Sequence, residues 1–395
     1  MDYEMLLTPK IIEMDIKQLK LNSLLEVTQS INSNLPEDSL YRIFYFICIS
    51  TMKFEKLALV VFDKGELKVK VEHGFQVSEA TLLSLQEKKE DIEIKGIEDV
   101  LSVSHKKDVL AYLLLSGGTQ LDDRKDYVSF IKTLANIIMV AIENKRLARK
   151  EVEQLALRKE MEIAGSVQSM LVLKEFPKSN YISIDAFYLP YKLVGGDYYD
   201  YIQVSDSLNY VCIADVSGKG IPAALLMSNF QACLRTMVSQ TDDLKKIIQE
   251  LNKQLLYNSQ GEYFVTFFIA ELNFETGVMQ YVNAGHNPIF YRTKEGIEEL
   301  KKGSTILGAF EHLPSLEIGE TTIQKDGILL CYTDGVSETK NIEGEEWGEE
   351  VLKEYLSKYS TEDDLSVIDK ILKGVDNFRG ECGYVDDLTL MVCSF

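Results

Sequence analysis

The stretch YVCIADVSGKGIPAALLMS, residues 210–228, changes its period midway, and that change decides the fold. Residues 210–215 form an apolar run that closes on an aspartate, the pattern of a strand buried on both faces. Val216-Ser217-Gly218-Lys219-Gly220 then reads as a turn, and Pro222 opens a helical pattern, since a proline is tolerated in the first helical turn. Working outward, strands are expected over 182–189, 197–204, 264–272, 278–284, 328–332 and 388–393, with two consecutive helices over 222–239 and 242–258. Runs of strands broken by a pair of adjacent helices belong to antiparallel sheets covered by helices. This is an α+β architecture and not a doubly wound parallel sheet.

Upstream, helical spacing covers 10–33, and a second helix after Pro36 is expected to start on Asp38 or Ser39 as its cap. Strands are expected over 57–62 and 67–71, joined by Asp63-Lys64-Gly65-Glu66, and over 109–115. From Asp122-Asp123 a helix is predicted to run unbroken to about Leu171, with Tyr127, Phe130, Ile131, Leu134, Ile137, Ile138 and Ala141 on one face. Its stripe then narrows to Ala148, Val152, Leu155, Ile163, Val167 and Met170 among many charges, with Gly165 as the expected weak point. A narrow apolar seam of this kind is the coiled-coil form of a helix and predicts a homodimer.

The formal charge of −20 is unevenly placed: 21 basic against 23 acidic groups in residues 1–150, and 21 against 39 in 151–395. A second part at −18 argues against nucleic acid, whose sequence-independent affinity comes from neutralised phosphates, and against an anionic membrane surface. It suits a site for cations. Met1-Asp2-Tyr3-Glu4 lacks the basic start of a signal peptide, and the longest apolar run, 43–49, is far short of a membrane span. The six cysteines (Cys48, Cys212, Cys233, Cys331, Cys382, Cys393) form no Cys-x-x-Cys pair. They read as reduced core residues of a cytoplasmic protein.

Four acidic residues share one local setting, a strand end or a glycine-bearing turn. Asp197 follows Gly195-Gly196, Asp215 ends YVCIAD, Asp334 ends ILLCYTD before Gly335, and Asp386 with Asp387 precedes LTLMV. A carboxylate at the end of a buried strand must be paired, capped or metal-bound, because burying it alone costs several kcal/mol. Oxygen-only ligands select Mg²⁺ or Mn²⁺ over zinc, and two such ions sharing carboxylates form a site for attack on phosphorus.

VGGDYYD, ADVSGKGIPAALLMS, FVTFFIAEL, VNAGHNP, LLCYTDGVSET and DDLTLMV, in this order, resemble the PPM family of metal-dependent protein serine/threonine phosphatases, in its bacterial SpoIIE/RsbU branch. The resemblance runs from about Val167 to Phe395 and implies an αββα sandwich with two Mn²⁺ or Mg²⁺ ions between the sheets. It implies that Asp215 bridges the ions and the Val216 carbonyl binds the second. Asp334 and Asp386 would complete the shell of the first, and Asp197 would serve the second directly or through water. Asp387 is the weaker ligand of its pair. The implied nucleophile is a water activated by the ions, and the implied substrate is a phosphorylated anti-sigma-factor antagonist. Two departures from the eukaryotic pattern leave the leaving-group acid open: Ser217 stands where a His is often found, and no Arg aligns to clamp the phosphate. A metal-held water, Lys219 and His286 remain candidates, although His286 also reads as a hydrogen-bonded turn residue.

The closing segment LANIIMVAIENKRL, residues 134–147, resembles the exit of a GAF domain into a signalling helix. The expected organisation is therefore a GAF-like α/β sensor over 1–145, responding to a small-molecule or protein signal, a helical linker over 146–175 and the phosphatase over 176–395. Two other classes stay in view. A catalytically inactive scaffold would have lost an aspartate of the set. A nucleotide cyclase would need an acidic residue where Tyr198 stands.

Overall fold

The computed structural model describes residues 4–63, 65–87, 93–106, 108–117, 124–173, 175–177, 179–360 and 365–395, the side chains of 4–16 excepted. It divides into two compact units, Met1–Leu155 and Ala156–Phe395.

The first unit holds α1 (Glu4–Asn32), α2 (Glu37–Phe46), β1 (Phe54–Asp63), β2 (Glu66–His73), α3 (Glu79–Gln86), β3 (Asp99–His105), β4 (Asp108–Gly117) and most of α4 (Arg124–Gln168). The strands form one antiparallel sheet in the order β2-β1-β4-β3. Alternation along β1 and β4 gives the sheet two apolar faces. Leu57, Leu59, Leu113 and Leu115 pack with Phe44, Ile131, Leu134 and Ile138 of the helices. Ala58, Val60 and Leu114 pack with Leu85 of α3. Strand β3 and helix α3 were not expected from the sequence. Helix α2 begins at Glu37 with Pro36 at its cap position and no side-chain cap, so Asp38 sits inside the first turn instead of capping it. The expected helix start at Asp122-Asp123, and Lys64 of the expected turn, lie outside the described residues.

The second unit is a four-layer sandwich. Its first sheet is built from β6 (Tyr198–Gln203), β7 (Leu208–Val216), β8 (Val265–Asn273), β9 (Val278–Ala284) and β12 (Gly303–Ser304) in the order β12-β9-β8-β7-β6, with β13 (Gly319–Thr322) also paired to β9. The other sheet runs β11-β10-β14-β15-β5, from β5 (Ser183–Leu189), β10 (Ile289–Thr293), β11 (Gly296–Leu300), β14 (Ile328–Tyr332) and β15 (Leu388–Ser394). Helices α5 (Ile221–Val238) and α6 (Leu244–Ser259) cover the first sheet; α8 (Glu349–Lys358) and α9 (Val367–Arg379) cover the second. The short helix α7 (Asp334–Ser337) follows β14 directly.

Strand parity fixes what points where. On β7, Tyr210, Cys212 and Ala214 face α5 and α6, whereas Val211 and Ile213 face the other sheet and meet Leu329, Cys331 and Met391. Continuing that parity places Asp215, Thr333 and Thr389 toward the space between the sheets. The αββα architecture implied by the sequence is therefore present. Among the described residues, no helix is long and apolar enough to cross a membrane.

Candidate metal centre

Asp215 is the last but one residue of β7, paired with Thr266 on β8, so its backbone is fixed by the sheet while its side chain reaches the end of the inter-sheet space. Burial, with the charges of Asp334, Asp386 and Asp387, pushes its pKa up to about 7. Asp334 opens α7, and burial together with Asp386 and Glu338 raises it to about 6. Gly335 must be glycine, because a Cβ there would stand 1.9 Å from the Asp387 carbonyl oxygen and 3.4 Å from the Asp386 Cβ. That close approach brings the 334 and 386 positions together.

Asp197 is almost fully buried at the entrance to β6. Its Oδ2 accepts a hydrogen bond from Thr333 Oγ1 at 2.8 Å and from Thr389 Oγ1 at 2.5 Å. Burial and the Asp215 charge hold its pKa well above the usual carboxylate range. A Cβ on Gly196 would lie 2.8 Å from the Val216 carbonyl oxygen, so that carbonyl opens onto the backbone just before Asp197.

Asp387 is engaged with the backbone. Its Oδ1 accepts from Tyr191 N at 2.7 Å and its Oδ2 from Gly196 N at 2.7 Å, which ties the 191–196 loop to the start of β15. Asp386, next to it, pairs with Lys219 at 2.6 Å. Among the described residues, no three His, Cys, Asp or Glu side chains stand close enough together to hold an ion as they are. The donor chemistry nevertheless fits divalent cations: every group is an oxygen, and the carboxylates raise one another through mutual repulsion.

His286 is fully enclosed. Its Nε2 lies 3.0 Å from the Tyr332 carbonyl, which can only accept, so Nε2 carries the proton and Nδ1 accepts from Thr266 Oγ1 at 2.8 Å. Burial lowers its pKa to about 4, leaving a neutral ring with both nitrogens occupied. This is the turn residue of the sequence reading and not a proton donor. Ser217 Oγ accepts the Phe264 amide at 2.9 Å.

Several functional neighbours escaped the sequence reading. Thr333 and Thr389 were findable by parity, each lying two residues from an inter-sheet core residue. Asp200 carried no such signal: it is fully buried on the helix side of β6, where Arg235 of α5 holds it through Nε and Nη2, both at 2.7 Å, and Tyr198 donates to it. Arg235 is thereby committed to structure and stands apart from the carboxylates. Gln168, at the end of α4, grips the backbone of Gly195 through both its amide atoms, at 2.7 and 3.2 Å. Gly165 is no weak point, since α4 runs through it. A Cβ at that position would strike the Leu193 carbonyl at 2.2 Å, so glycine lets the helix approach the 191–196 loop. A cavity of about 640 Å³ between residues 169–173 and α5 has no carboxylate in its lining and is not this site.

Residues 206–395 match the family model of stage II sporulation protein E, SpoIIE. The second unit is a SpoIIE-type phosphatase domain of the PPM family. The chain is 28% identical over 244 residues to the phosphoserine phosphatase RsbU of Bacillus subtilis, covering 60% of this chain and 71% of that protein. It is 29% identical over 188 residues to the phosphoserine phosphatase RsbP of the same organism, covering 46% of each. The PP2C domain of SiaA from Pseudomonas aeruginosa superposes with a TM-score of 0.54 at 17% identity, over 62% of this chain and 98% of that one, which bears on the fold alone.

Proposed function

We propose that this protein phosphatase hydrolyses phosphoserine or phosphothreonine on a folded partner of the anti-sigma-factor-antagonist type, under the control of a GAF-like N-terminal unit. The observation that carries the reading is the set of aspartates at the strand ends between the two sheets, where Asp197 stands within reach of the Asp215 charge and Asp215 within reach of those of Asp334 and Asp386. None of the four is replaced, which disfavours an inactive scaffold. Tyr198 is buried against α5 and bonded to Asp200, which leaves a cyclase without its second carboxylate.

Asp215, Asp334, Asp386, Asp197 and the Val216 carbonyl are the oxygens that would hold two Mn²⁺ or Mg²⁺ ions. When bound, such ions supply positive charge that lowers the pKa of water and offsets the charge of the phosphoryl oxygens. Thr333 and Thr389 orient Asp197, and Asp387 holds the 191–196 loop at the rim. His286 stays neutral and fully bonded, so it neither takes nor gives the proton of the leaving alkoxide.

The chain spans 71% of RsbU and 46% of RsbP, and both relatives are named phosphoserine phosphatases, which supports the substrate class. With −18 on residues 151–395, attraction to an acidic phosphopeptide is weak and recognition falls to contacts with a folded partner. The domain boundaries we propose are 1–145, 146–175 and 176–395. Release of inorganic phosphate from phosphorylated antagonists, with and without Mn²⁺, tests the reading. Turnover that survives exhaustive chelation, or equal kcat/KM for a short phosphopeptide and the folded antagonist, would count against it.

A further inference from the structure

Lys219 is paired with Asp386. Its Nζ donates to Asp386 Oδ2 at 2.6 Å and to the Val385 carbonyl at 2.6 Å, and it stands 5.0 Å from the centre of the Tyr191 ring. The loop that presents it is set by two glycines in left-handed conformations, Gly218 at φ 91° and Gly220 at φ 78°, which let the chain turn from the end of β7 into α5 within a few residues. The neighbouring Asp387 is taken by the amides of Tyr191 and Gly196. The two adjacent carboxylates are thus divided, one bound to a loop and one to an ammonium, and among the described residues no three acidic side chains converge. Lys192 shares the Tyr191 ring at 5.9 Å without pairing with Asp386, and Arg235 is held by Asp200.

We propose that Lys219 is the internal counter-ion of Asp386. It holds that carboxylate in the metal-free enzyme, and a divalent cation must displace it to recruit Asp386. Lys219 therefore acts as a positioning residue that sets the affinity of the site for its ions. The proposal rests on the reading of Asp386 as a ligand. An ammonium and a divalent cation compete for the same oxygen, and partly exposed ion pairs are weak, so the expected effect is modest. Removing the competitor should tighten metal binding by about two- to fivefold.

The test is calorimetric titration of the metal-free full chain with Mn²⁺. Lys219→Gln is expected to bind about two- to fivefold more tightly than the unsubstituted protein. Lys219→Arg should bind like the unsubstituted protein, because it keeps a cation on the loop, and Lys192→Gln should change nothing. Unchanged or weaker binding by Lys219→Gln overturns the proposal. So does an equal gain in Lys192→Gln, which would mean that general charge and not the pair is responsible, and so does a Lys219→Arg protein that binds as tightly as Lys219→Gln. Asp386→Asn separates the two layers of the argument: undiminished Mn²⁺ binding there removes Asp386 from the ligand set and the proposal with it. Weakened binding in Asp386→Asn beside no gain in Lys219→Gln sinks the proposal alone.

Discussion

Thr389 lies on β15 and Asp197 just ahead of β6 in the opposite sheet, yet the hydroxyl of one donates to the carboxylate of the other at 2.5 Å. Thr333, the residue between β14 and α7, donates to the same oxygen at 2.8 Å, and the Thr389 amide donates to the Thr333 hydroxyl at 3.1 Å. The sandwich is therefore clasped at the point where the acidic residues meet. Thr389→Val removes a donor from a buried carboxylate and should cost about 1.5–3 kcal/mol in urea unfolding of the metal-free protein. Thr333→Val should cost a similar amount, and the double variant less than the sum, since both hydroxyls serve one oxygen. Two losses below about 0.5 kcal/mol would show that the clasp carries no stability.

A second expectation concerns pH in the metal-free state. Asp215 and Asp334 have folded pKa values of about 7 and about 6, above the 3.8 of an unperturbed aspartate. The folded state then binds more protons than the unfolded one between about pH 4 and pH 7, so these groups lose stability as pH rises through that window. Asp215→Asn should flatten the slope and stabilise the metal-free protein at pH 7.5 by on the order of 2 kcal/mol, while abolishing Mn²⁺-dependent turnover. Saturating Mn²⁺ should reverse the slope, since ion binding requires the ionised carboxylates. Retained activity in Asp215→Asn would end the two-metal reading.

His286 titrates in the opposite sense. Its folded pKa of about 4 lies below the ordinary 6.5, so the folded state binds fewer protons and its stability contribution is lost as pH falls below about 6.5. His286→Gln should cost about 1 kcal/mol at pH 7 through its two hydrogen bonds, and the difference from the unsubstituted protein should shrink or change sign by pH 4.5. At pH 7.5 kcat should stay within about threefold, because a neutral, fully bonded ring donates no proton. A thousandfold drop in kcat with unchanged stability would restore His286 as the leaving-group acid.

The parts of the site that the sequence made legible are those set by local pattern. Asp215 near the end of β7 and Asp334 just past β14 follow apolar runs and are soon followed by a glycine, Gly218 and Gly335, so both the elements and their polar ends were visible in YVCIADVSGKG and ILLCYTDG. The hairpin of β10 and β11 was missed because its five-residue strands are too short to establish a period, and α8 and α9 because their polar faces outweigh a narrow apolar stripe. Asp200 and Arg235 are 35 residues apart, and nothing local distinguishes a buried paired aspartate from one on the surface. The Lys219 contact with Asp386 spans 167 residues and depends on two sheets being closed, a relation that no window of sequence contains.

The last expectation concerns α4, 45 residues and about 68 Å long at 1.5 Å per residue. Its first half packs into the N-terminal unit through Ile131, Leu134 and Ile138, but Leu147, Val152, Leu155, Ile163 and Val167 are more than half exposed. Apolar residues at this spacing on a helix crowded with charges are stable when a second copy covers them, as in a coiled coil. The far end of the same helix holds the loop before Asp197 through Gln168 and Gly195, so pairing of two such helices would reach the acidic cluster through two hydrogen bonds. Val152→Glu with Leu155→Glu places like charges on the seam and should convert a dimer to a monomer in light scattering of the full chain. Gln168→Ala should leave the dimer intact and lower kcat by about tenfold, because removing two bonds of about 0.7 kcal/mol each loosens the loop by some 1.4 kcal/mol. A full chain that is monomeric before substitution, or a Gln168→Ala protein with undiminished kcat, would show that α4 joins the two units without acting on the site.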